Sequence, residues 1–388
     1  MATPIKVNIE KFTENDIVNW QYVGRGGFSN VYKGLHKKLH MSCAVKHFFE
    51  CVSEEEARNL LQAQNMHVIR LLGLYKETSF TTGLVLEWMP NGSVEELNKR
   101  IETGWPLRLR ILYEVSLGMN LLHQQHSPML HLDLKPANVL LDEHLHAKIS
   151  DFGLAKVHQS IMKSMSDQNK EMSSNCCGTL RYMAPEMLDA GSKPTTMCDI
   201  YSYAILIWAV MTQEEPFQGA SESMIEMFVK EPHNKRPTIP KQTSCPADLI
   251  SLMEKCWHSQ PMKRLSFQDC VPRMEAMQKT DEIKESVDKA LVNLQELENM
   301  PSLKYSFCKP PRQDFHSLDV FDAKSPIQEA TPPGGQDEAP GRSVYHDKPT
   351  NQEPRRVTNG MDYDFEYARM LMFHREMEFR HERFPAKT

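Results

Sequence analysis

The chain has 388 residues, 40% of them hydrophobic and 25% charged, with a formal net charge of -6. This length predicts two to three structural units in an ordinary soluble protein. The mild negative charge argues against a strongly basic protein that binds nucleic acid or a membrane surface. Residues 200–211 form the longest membrane-like run and are too few to span a bilayer. The N-terminus lacks the pattern of a secretory signal, and the nine cysteines show no repeated CxxC pair, so we expect reduced thiols and a cytoplasmic location.

The chain divides into four predicted segments. Residues 17–277 alternate strand-like and helix-like patterns and form the main domain. Residues 278–300 place apolar side chains at helical spacing, which predicts an amphipathic helix that packs on the domain or pairs with a partner. Residues 301–360 hold nine prolines and predict a disordered linker. Residues 361–388, rich in Met, Phe, Glu and Arg, predict a solvated helix or a helix that docks adaptor proteins.

The first chemical signal is a glycine-rich hairpin between two strand-like runs. Glycines allow backbone amides to approach phosphate oxygens closely. On its own such a hairpin is more often a simple turn, and Ser29 stands where a third glycine is common. The predicted phosphate loop comprises Val23, Gly24, Arg25, Gly26, Gly27 and Phe28.

A lysine on a strand follows this hairpin. Lys46 lies after apolar Ala44 and Val45 and is placed to reach the phosphates of a nucleotide. Such a lysine needs a carboxylate to hold it. We predict Glu56 for this role, because an apolar stripe lies on its side of the predicted helix, with Glu55 as the alternative.

The strongest signal is a polar cluster after residue 130. Asp133 is placed to orient a substrate hydroxyl and accept its proton, and Lys135 to neutralise charge on a moving phosphoryl group. Asn138 and Asp151 offer the hard oxygen ligands that Mg²⁺ prefers. Phosphoryl transfer needs this combination, so we predict Mg²⁺ as a cofactor.

These motifs resemble those of the eukaryotic protein kinases. The glycine-rich hairpin, Lys46, the HLDLKPAN loop, the DFG triplet at residue 151 and the APE triplet at residue 184 all match. The resemblance covers residues 17–277. It implies an α+β, bilobal fold with a β-rich N-lobe and a helical C-lobe, followed here by a disordered C-terminal tail. It also implies that ATP binds in the cleft between the lobes as the cofactor.

The resemblance also implies further roles. Residues 84–89 would form the strand into the hinge, with Leu86 as gatekeeper and the backbone of Glu87 and Met89 binding adenine. Arg264 would pair with Glu186. The adenine ring would lie between Val31, Ala44 and Leu140.

Within the kinases, the chain resembles the receptor-interacting serine/threonine kinases. LKPAN, with Lys135 two residues after Asp133, is typical of serine/threonine kinases, so the resemblance implies protein substrates that bear Ser or Thr. The ten-residue interval from Lys46 to Glu56 favours member 3 of that family, whereas the HLD triplet looks more like the ankyrin-bearing members. This resemblance implies receptor-proximal inflammatory or cell-death signalling of the necroptosis type, with self-association or binding to related kinases. The nearest match to a homotypic motif, residues 357–360, is poor.

The alternative is a scaffold that uses a kinase fold mainly to bind partners and oligomerise. Lys46, Asp133, Asn138 and Asp151 are all present, which favours catalysis. Leu132 stands where many kinases have an arginine that grips a phosphate on the activation segment. We therefore predict weak dependence on activation-segment phosphorylation, with Arg181 or Lys156 as the candidate substitutes.

Overall fold

The computed structural model describes residues 9–26, 29–49, 57, 61, 63–77, 80–151, 180–189, 191–241 and 244–299. Several predicted features lie outside these residues. They are Gly27, Phe28, Glu55, Glu56, Lys156 and the segments 301–360 and 361–388.

The N-lobe is a sheet of six strands in the described part of the chain, in the order β1-β5-β6-β4-β3-β2. Strand β1 is parallel to β5, and the other neighbours are antiparallel. The strands are β1 (Lys11–Phe12), β2 (Ile17–Arg25), β3 (Ser29–His36), β4 (Met41–Phe48), β5 (Leu71–Glu77) and β6 (Phe80–Glu87).

The short strand β1 precedes residue 17, where the domain was predicted to begin. Its Phe12 is buried, and Leu74 donates its backbone N–H to Glu10 O at 2.8 Å. Gly73 makes this pairing possible, since a Cβ there would lie 2.4 Å from Glu10 O. Two residues are too few to show strand periodicity, so β1 could not be predicted from the sequence.

The C-lobe is helical, with one hairpin close to the N-lobe. The hairpin joins β7 (Val139–Leu141) to β8 (Ala147–Ile149). The helices are α1 (Val94–Arg100), α2 (Trp105–His123), α3 (Thr196–Thr212), α4 (Glu222–Val229), α5 (Ala247–Cys256), α6 (Phe267–Ala276) and α7 (Thr280–Asn299).

Helix α3 forms the centre of the C-lobe. Every residue from Cys198 to Met211 is buried, as expected for a helix that is apolar on all sides and packed by neighbours. Thr195 caps the start of the helix, and its side chain accepts a hydrogen bond from the backbone N–H of Met197 at 3.3 Å. The predicted buried helix at residues 200–211 is therefore an internal support.

Helix α7 contains the apolar stripe at residues 283–297. Val287, Ala290 and Leu294 are buried in the main core cluster. Gln278, just before the helix, donates to Leu109 O at 3.1 Å, and Arg100 pairs with Glu298 at 3.2 Å. Of the two alternatives left by the sequence, the structure has the helix packed on its own domain. The sheet and helices together confirm the predicted α+β fold with two lobes.

Candidate active site

Lys46 and Asp151 meet across the cleft between the lobes. Lys46 Nζ lies 2.6 Å from Asp151 Oδ1, although the two residues are 105 positions apart. The side chain of Lys46 is 9% exposed, and that of Asp151 is 35% exposed. Strand β4 therefore presents its lysine to the acid that follows β8.

The contact controls the charge of Asp151. Burial by itself would raise the pKa of this carboxyl, but the positive charge of Lys46 and its hydrogen bond hold the pKa below its ordinary value. His131 and Lys135 act in the same direction. Asp151 is therefore ionised at neutral pH. Its φ of 61° lies in the left-handed region, a strained backbone that marks functional positions.

The catalytic-loop residues form a second polar group. Lys135 Nζ lies 3.0 and 2.9 Å from the two carboxylate oxygens of Asp133. Asn138 Nδ2 donates to Asp133 O at 2.7 Å and to Asp133 Oδ2 at 2.8 Å. The structure thus brings together three residues that the sequence singled out, with the carboxylate of Asp133 held from two sides.

Asn138 and Asp151 fit a divalent cation. The hydrogen bonds from the Asn138 side chain to Asp133 use its amide nitrogen, so its amide oxygen can serve as a ligand. Ser150 N, adjacent to Asp151, donates to the backbone Asn138 O at 2.9 Å, which ties the chain segments of the two candidate ligands to one another. The described residues contain no group of three or more His, Cys, Asp or Glu side chains suited to a metal. A Mg²⁺ bound together with nucleotide phosphates needs only one or two carboxylates.

The backbone of the predicted catalytic loop is anchored by Asp199, a residue that the sequence did not single out. Asp199 of α3 is fully buried and accepts the backbone N–H groups of His131 at 2.9 Å and Leu132 at 2.7 Å. His123 Nε2 lies 2.8 Å from the same carboxylate. An aspartate near a helix start resembles an ordinary first-turn acid, so its spacing gave no signal of this role.

Two of the residues predicted to enclose adenine, Val31 and Ala44, lie on neighbouring strands of the N-lobe sheet. Val31 of β3 pairs with Gly24 of the phosphate hairpin and with Lys46 of β4. Ala44 pairs with Leu86, the predicted gatekeeper. Val23 is 51% exposed, and Val31 and Ala44 are half-buried, so apolar surface remains for a ligand in this region.

The opposite wall and the loop tip complete the predicted nucleotide site. Leu140 of β7 is half-buried and bridges to Ser93 after the hinge. Gly26 N donates to Ser29 O at 2.7 Å, which closes the described part of the hairpin. The guanidinium of Arg25 lies 5.1 Å from the ring centre of Phe49.

The hinge itself is held at its first residue. Glu87 N donates to Arg70 O at 3.0 Å, and Lys148 Nζ lies 2.7 Å from both Glu87 carboxylate oxygens. The side chain of Met89 is buried in the main core cluster. Sequence reasoning assigned only the backbone of Glu87 to the site and had no signal for the side-chain contact.

The C-lobe also contains the ion pair that the resemblance implied. Arg264 Nη1 and Nη2 donate to the two Glu186 carboxylate oxygens at 2.6 and 2.8 Å. Arg181, considered as a phosphate partner, is already engaged: its Nη1 donates to Pro216 O at 2.8 Å, and its Nε lies 3.0 Å from Glu215.

Comparison with known proteins agrees with this geometry. Residues 17–274 match the family model of the protein kinase domain. The chain therefore belongs to the protein kinase family.

Curated relatives show which protein kinases this chain is similar to. Receptor-interacting serine/threonine-protein kinase 4 of Mus musculus is 37% identical over 71% of this chain and 36% of its own length. The type 2 enzyme of Bos taurus is 35% identical over 72% of this chain and 55% of its own length. The type 3 enzyme of Homo sapiens is 35% identical over 70% of this chain and 52% of its own length.

These relatives confirm the resemblance to the receptor-interacting kinases as a family. The identities do not favour member 3 over members 4 and 2, although the short interval after Lys46 pointed to member 3. The chain spans about a third to about half of the length of the relatives described here.

Proposed function

We propose that this protein is an ATP- and Mg²⁺-dependent protein-serine/threonine kinase. It transfers the γ-phosphoryl group of ATP to Ser or Thr hydroxyls of protein substrates. The observation that carries the proposal is the 2.6 Å contact between Lys46 and Asp151. The Asp133 cluster lies near enough that the charge of its Lys135 helps to lower the pKa of Asp151. The similarity to receptor-interacting serine/threonine kinases supports the same activity.

Each residue has a distinct task in this reaction. Lys46 binds the nucleotide phosphates and keeps Asp151 ionised, so that Asp151 and Asn138 hold Mg²⁺. When bound, Mg²⁺ neutralises charge that develops on the phosphate oxygens. Asp133 orients the acceptor hydroxyl and receives its proton. Lys135, which touches both oxygens of Asp133, lies where it neutralises the moving phosphoryl group.

Phosphoamino-acid analysis tests the proposal. The full chain, incubated with labelled ATP and Mg²⁺, is expected to place phosphate on serine or threonine. Asp133→Asn keeps the shape of the side chain but removes the proton acceptor, so labelling should fall by orders of magnitude. Mainly phosphotyrosine, or unchanged labelling in Asp133→Asn, contradicts the proposal. Full cellular signalling by Asp133→Asn protein would favour the scaffold alternative.

We further propose that this protein is cytoplasmic and acts in receptor-proximal inflammatory or cell-death signalling of the necroptosis type. Support comes from relatives whose names describe receptor-interacting kinases. Self-association, binding to related kinases and adaptor binding through residues 361–388 belong to the same proposal. Co-purification of bound proteins with and without residues 301–388 tests the role of the tail.

Within the described residues, no helix is long and apolar enough to cross a membrane.

A further inference from the structure

A half-buried ion pair lies behind the hinge, on the side chains of Lys148 and Glu87. The ammonium of Lys148 lies 2.7 Å from each carboxylate oxygen of Glu87. The two side chains are only 17% and 19% exposed. Charge-assisted hydrogen bonds with this geometry and limited solvent contact are stronger than ordinary surface ion pairs.

Glu87 is also fixed to the N-lobe from its other side. Arg70 donates its backbone N–H to Glu87 Oε1 at 2.8 Å, and Glu87 returns its own N–H to Arg70 O at 3.0 Å. Backbone and side chain of Glu87 therefore bind the same residue. Any rotation of the Glu87 peptide breaks one of these hydrogen bonds or pulls the carboxylate away from Lys148.

Lys148 belongs to a strand that is itself well anchored. Lys148 pairs with Leu140, one of the residues predicted to contact the adenine ring. The next residue, Ile149, donates to His67 O and accepts from Ile69 N, each at 2.9 Å. Asp151 follows two residues later. Lys148 thus connects the hinge to the strand that positions a predicted Mg²⁺ ligand.

The far end of the hinge is held by the same hairpin. Asn91 N donates to Leu141 O at 3.2 Å, and Leu141 N donates to Gly92 O at 2.8 Å. The three residues between Glu87 and Asn91 are therefore fixed at both ends. They include Met89, whose backbone was predicted to bind adenine.

We propose that Lys148 is a positioning residue for nucleotide binding, which acts through Glu87 to hold the hinge backbone where it receives adenine. The inference rests on the proposed kinase function. A hinge that is ordered before binding loses less conformational freedom when the nucleotide arrives, so its affinity is higher. Without the ammonium, the Glu87 carboxylate keeps only the Arg70 N–H and moves toward water.

The test compares four full-length proteins by calorimetric titration with ATP and Mg²⁺ and by steady-state kinetics. Lys148→Met removes the charge at similar length, whereas Lys148→Arg keeps it. Lys99→Met removes a lysine from an exposed ion pair with Glu95, with side chains 70% and 49% exposed, and is the matched control. We expect Lys148→Met to raise the Kd and the KM for ATP about fivefold, with kcat at saturating ATP unchanged. Lys148→Arg and Lys99→Met should stay within about twofold of wild type.

Glu87→Gln provides a second route if Lys148→Met fails to fold. It keeps the shape of the side chain and its acceptor oxygen for Arg70 but removes the charge that Lys148 binds, so ATP affinity should again fall. Unchanged ATP affinity in whichever of these two variants folds overturns the inference. Altered kcat with unchanged ATP affinity overturns it too, because the pair would then act on lobe movement and not on binding. Absence of ATP binding by the wild-type protein would overturn the proposed function itself, and the inference with it.

Discussion

Asp199 holds Leu132 by a 2.7 Å hydrogen bond from the leucine backbone N–H to Asp199 Oδ1. The bond explains how Leu132 keeps a φ of 62° in the left-handed region, where a branched apolar residue is strained. The next residue is Asp133, so the strained backbone orients the proposed proton acceptor. Helix α3, which is buried throughout its core, thereby sets the geometry of the catalytic loop.

Substituting Asp199→Asn should both destabilise the protein and reduce its activity. Asparagine replaces one acceptor oxygen with an N–H₂ group that faces a backbone N–H of His131 or Leu132. A buried donor left without an acceptor costs about 1–3 kcal/mol, more for charged groups. Chemical denaturation and phosphoryl transfer measure the two effects. Asp248→Asn, on the exposed start of α5, is the control, and equal stability of the two variants would contradict the anchoring role.

Substituting Lys46→Met should reduce phosphoryl transfer at least a hundredfold, about 2.7 kcal/mol of barrier. Methionine has a similar volume but offers no charge to the phosphates. The pKa of Asp151 should rise as well, because the charge of Lys46 lowers it in the native protein. Autophosphorylation measures the loss. Lys37→Met, on the exposed β3–β4 turn, should remain active, and an unchanged rate in Lys46→Met would refute the assignment of the site.

Asp151→Asn should weaken Mg²⁺ binding, because a neutral amide replaces the ionised carboxylate. The apparent Mg²⁺ concentration for half-maximal transfer should rise about tenfold or more. Titration of activity with Mg²⁺ at saturating ATP measures this shift. A variant with the Mg²⁺ dependence of the wild type would show that Asp151 is not a ligand.

Two alanine substitutions on helix α7, one at a buried and one at an exposed position, test whether burial of this helix stabilises the protein. Leu294 is 3% exposed in the core, whereas Val292 on the same helix is 50% exposed. Leu294→Ala should lower the free energy of unfolding by about 2–4 kcal/mol. Val292→Ala should change it by less than about 0.5 kcal/mol. Urea denaturation of the full chain measures both values, and a loss of similar size in the two variants would contradict the packing of α7 on the C-lobe.

Part of the candidate site could be predicted from the sequence, in the sense that the structure brings several of the predicted residues together. Three of these residues, Asp133, Asn138 and Asp151, lie within 19 positions, and each adjoins a strand or strand-like run. Their order and spacing were therefore enough to predict a common role. The role of Lys46 in phosphate binding could be predicted because a glycine-rich hairpin precedes it. Local patterns of this kind arise when the chain itself places the residues near one another.

Contacts between distant segments left no comparable pattern. Asp199 binds backbone groups 67 and 68 positions away, and any sequence can supply a backbone N–H. Lys148 and Glu87 are 61 positions apart, and each is an ordinary charged residue near a strand end. Strand β1 depends on the absence of a Cβ at Gly73. These features follow from tertiary packing, which spacing does not encode.

The ion pair between His146 and Glu114 should make stability depend on pH. The hydrogen bond from His146 Nδ1 to Glu114 Oε1, 2.6 Å long, raises the pKa of His146 above its ordinary value near 6.5, although burial opposes the shift. A raised folded-state pKa gives stability that is complete below the unfolded pKa and is lost as pH rises through the folded value. His146 is partly exposed, so we expect only a few tenths of a kcal/mol.

The measurement compares unfolding of wild type and His146→Gln between pH 6 and pH 9. The advantage of the wild type should be largest at pH 6 and shrink as pH rises. His67, nearby, works in the opposite direction: burial lowers its pKa, so in both proteins stability is lost as pH falls below the ordinary value near 6.5. An advantage of the wild type that grows toward pH 9 would contradict the assignment.

Leu132 and Arg181 together predict that phosphate on the activation segment has little effect on activity. The leucine offers no donor at the position where many kinases bind that phosphate, and its side chain packs against the main core. Arg181 is already committed to the carbonyl oxygens of Pro216 and Phe217 and to Glu215. Single alanine substitutions should therefore leave turnover on an exogenous peptide within about tenfold of wild type, equivalent to about 1.4 kcal/mol of barrier. The positions, all outside the described residues, are Ser160, Ser164, Ser166, Ser173 and Ser174. A loss of turnover of more than tenfold in one variant, with recovery by an acidic residue at the same position, would contradict this prediction. It would show that another basic side chain binds the phosphate.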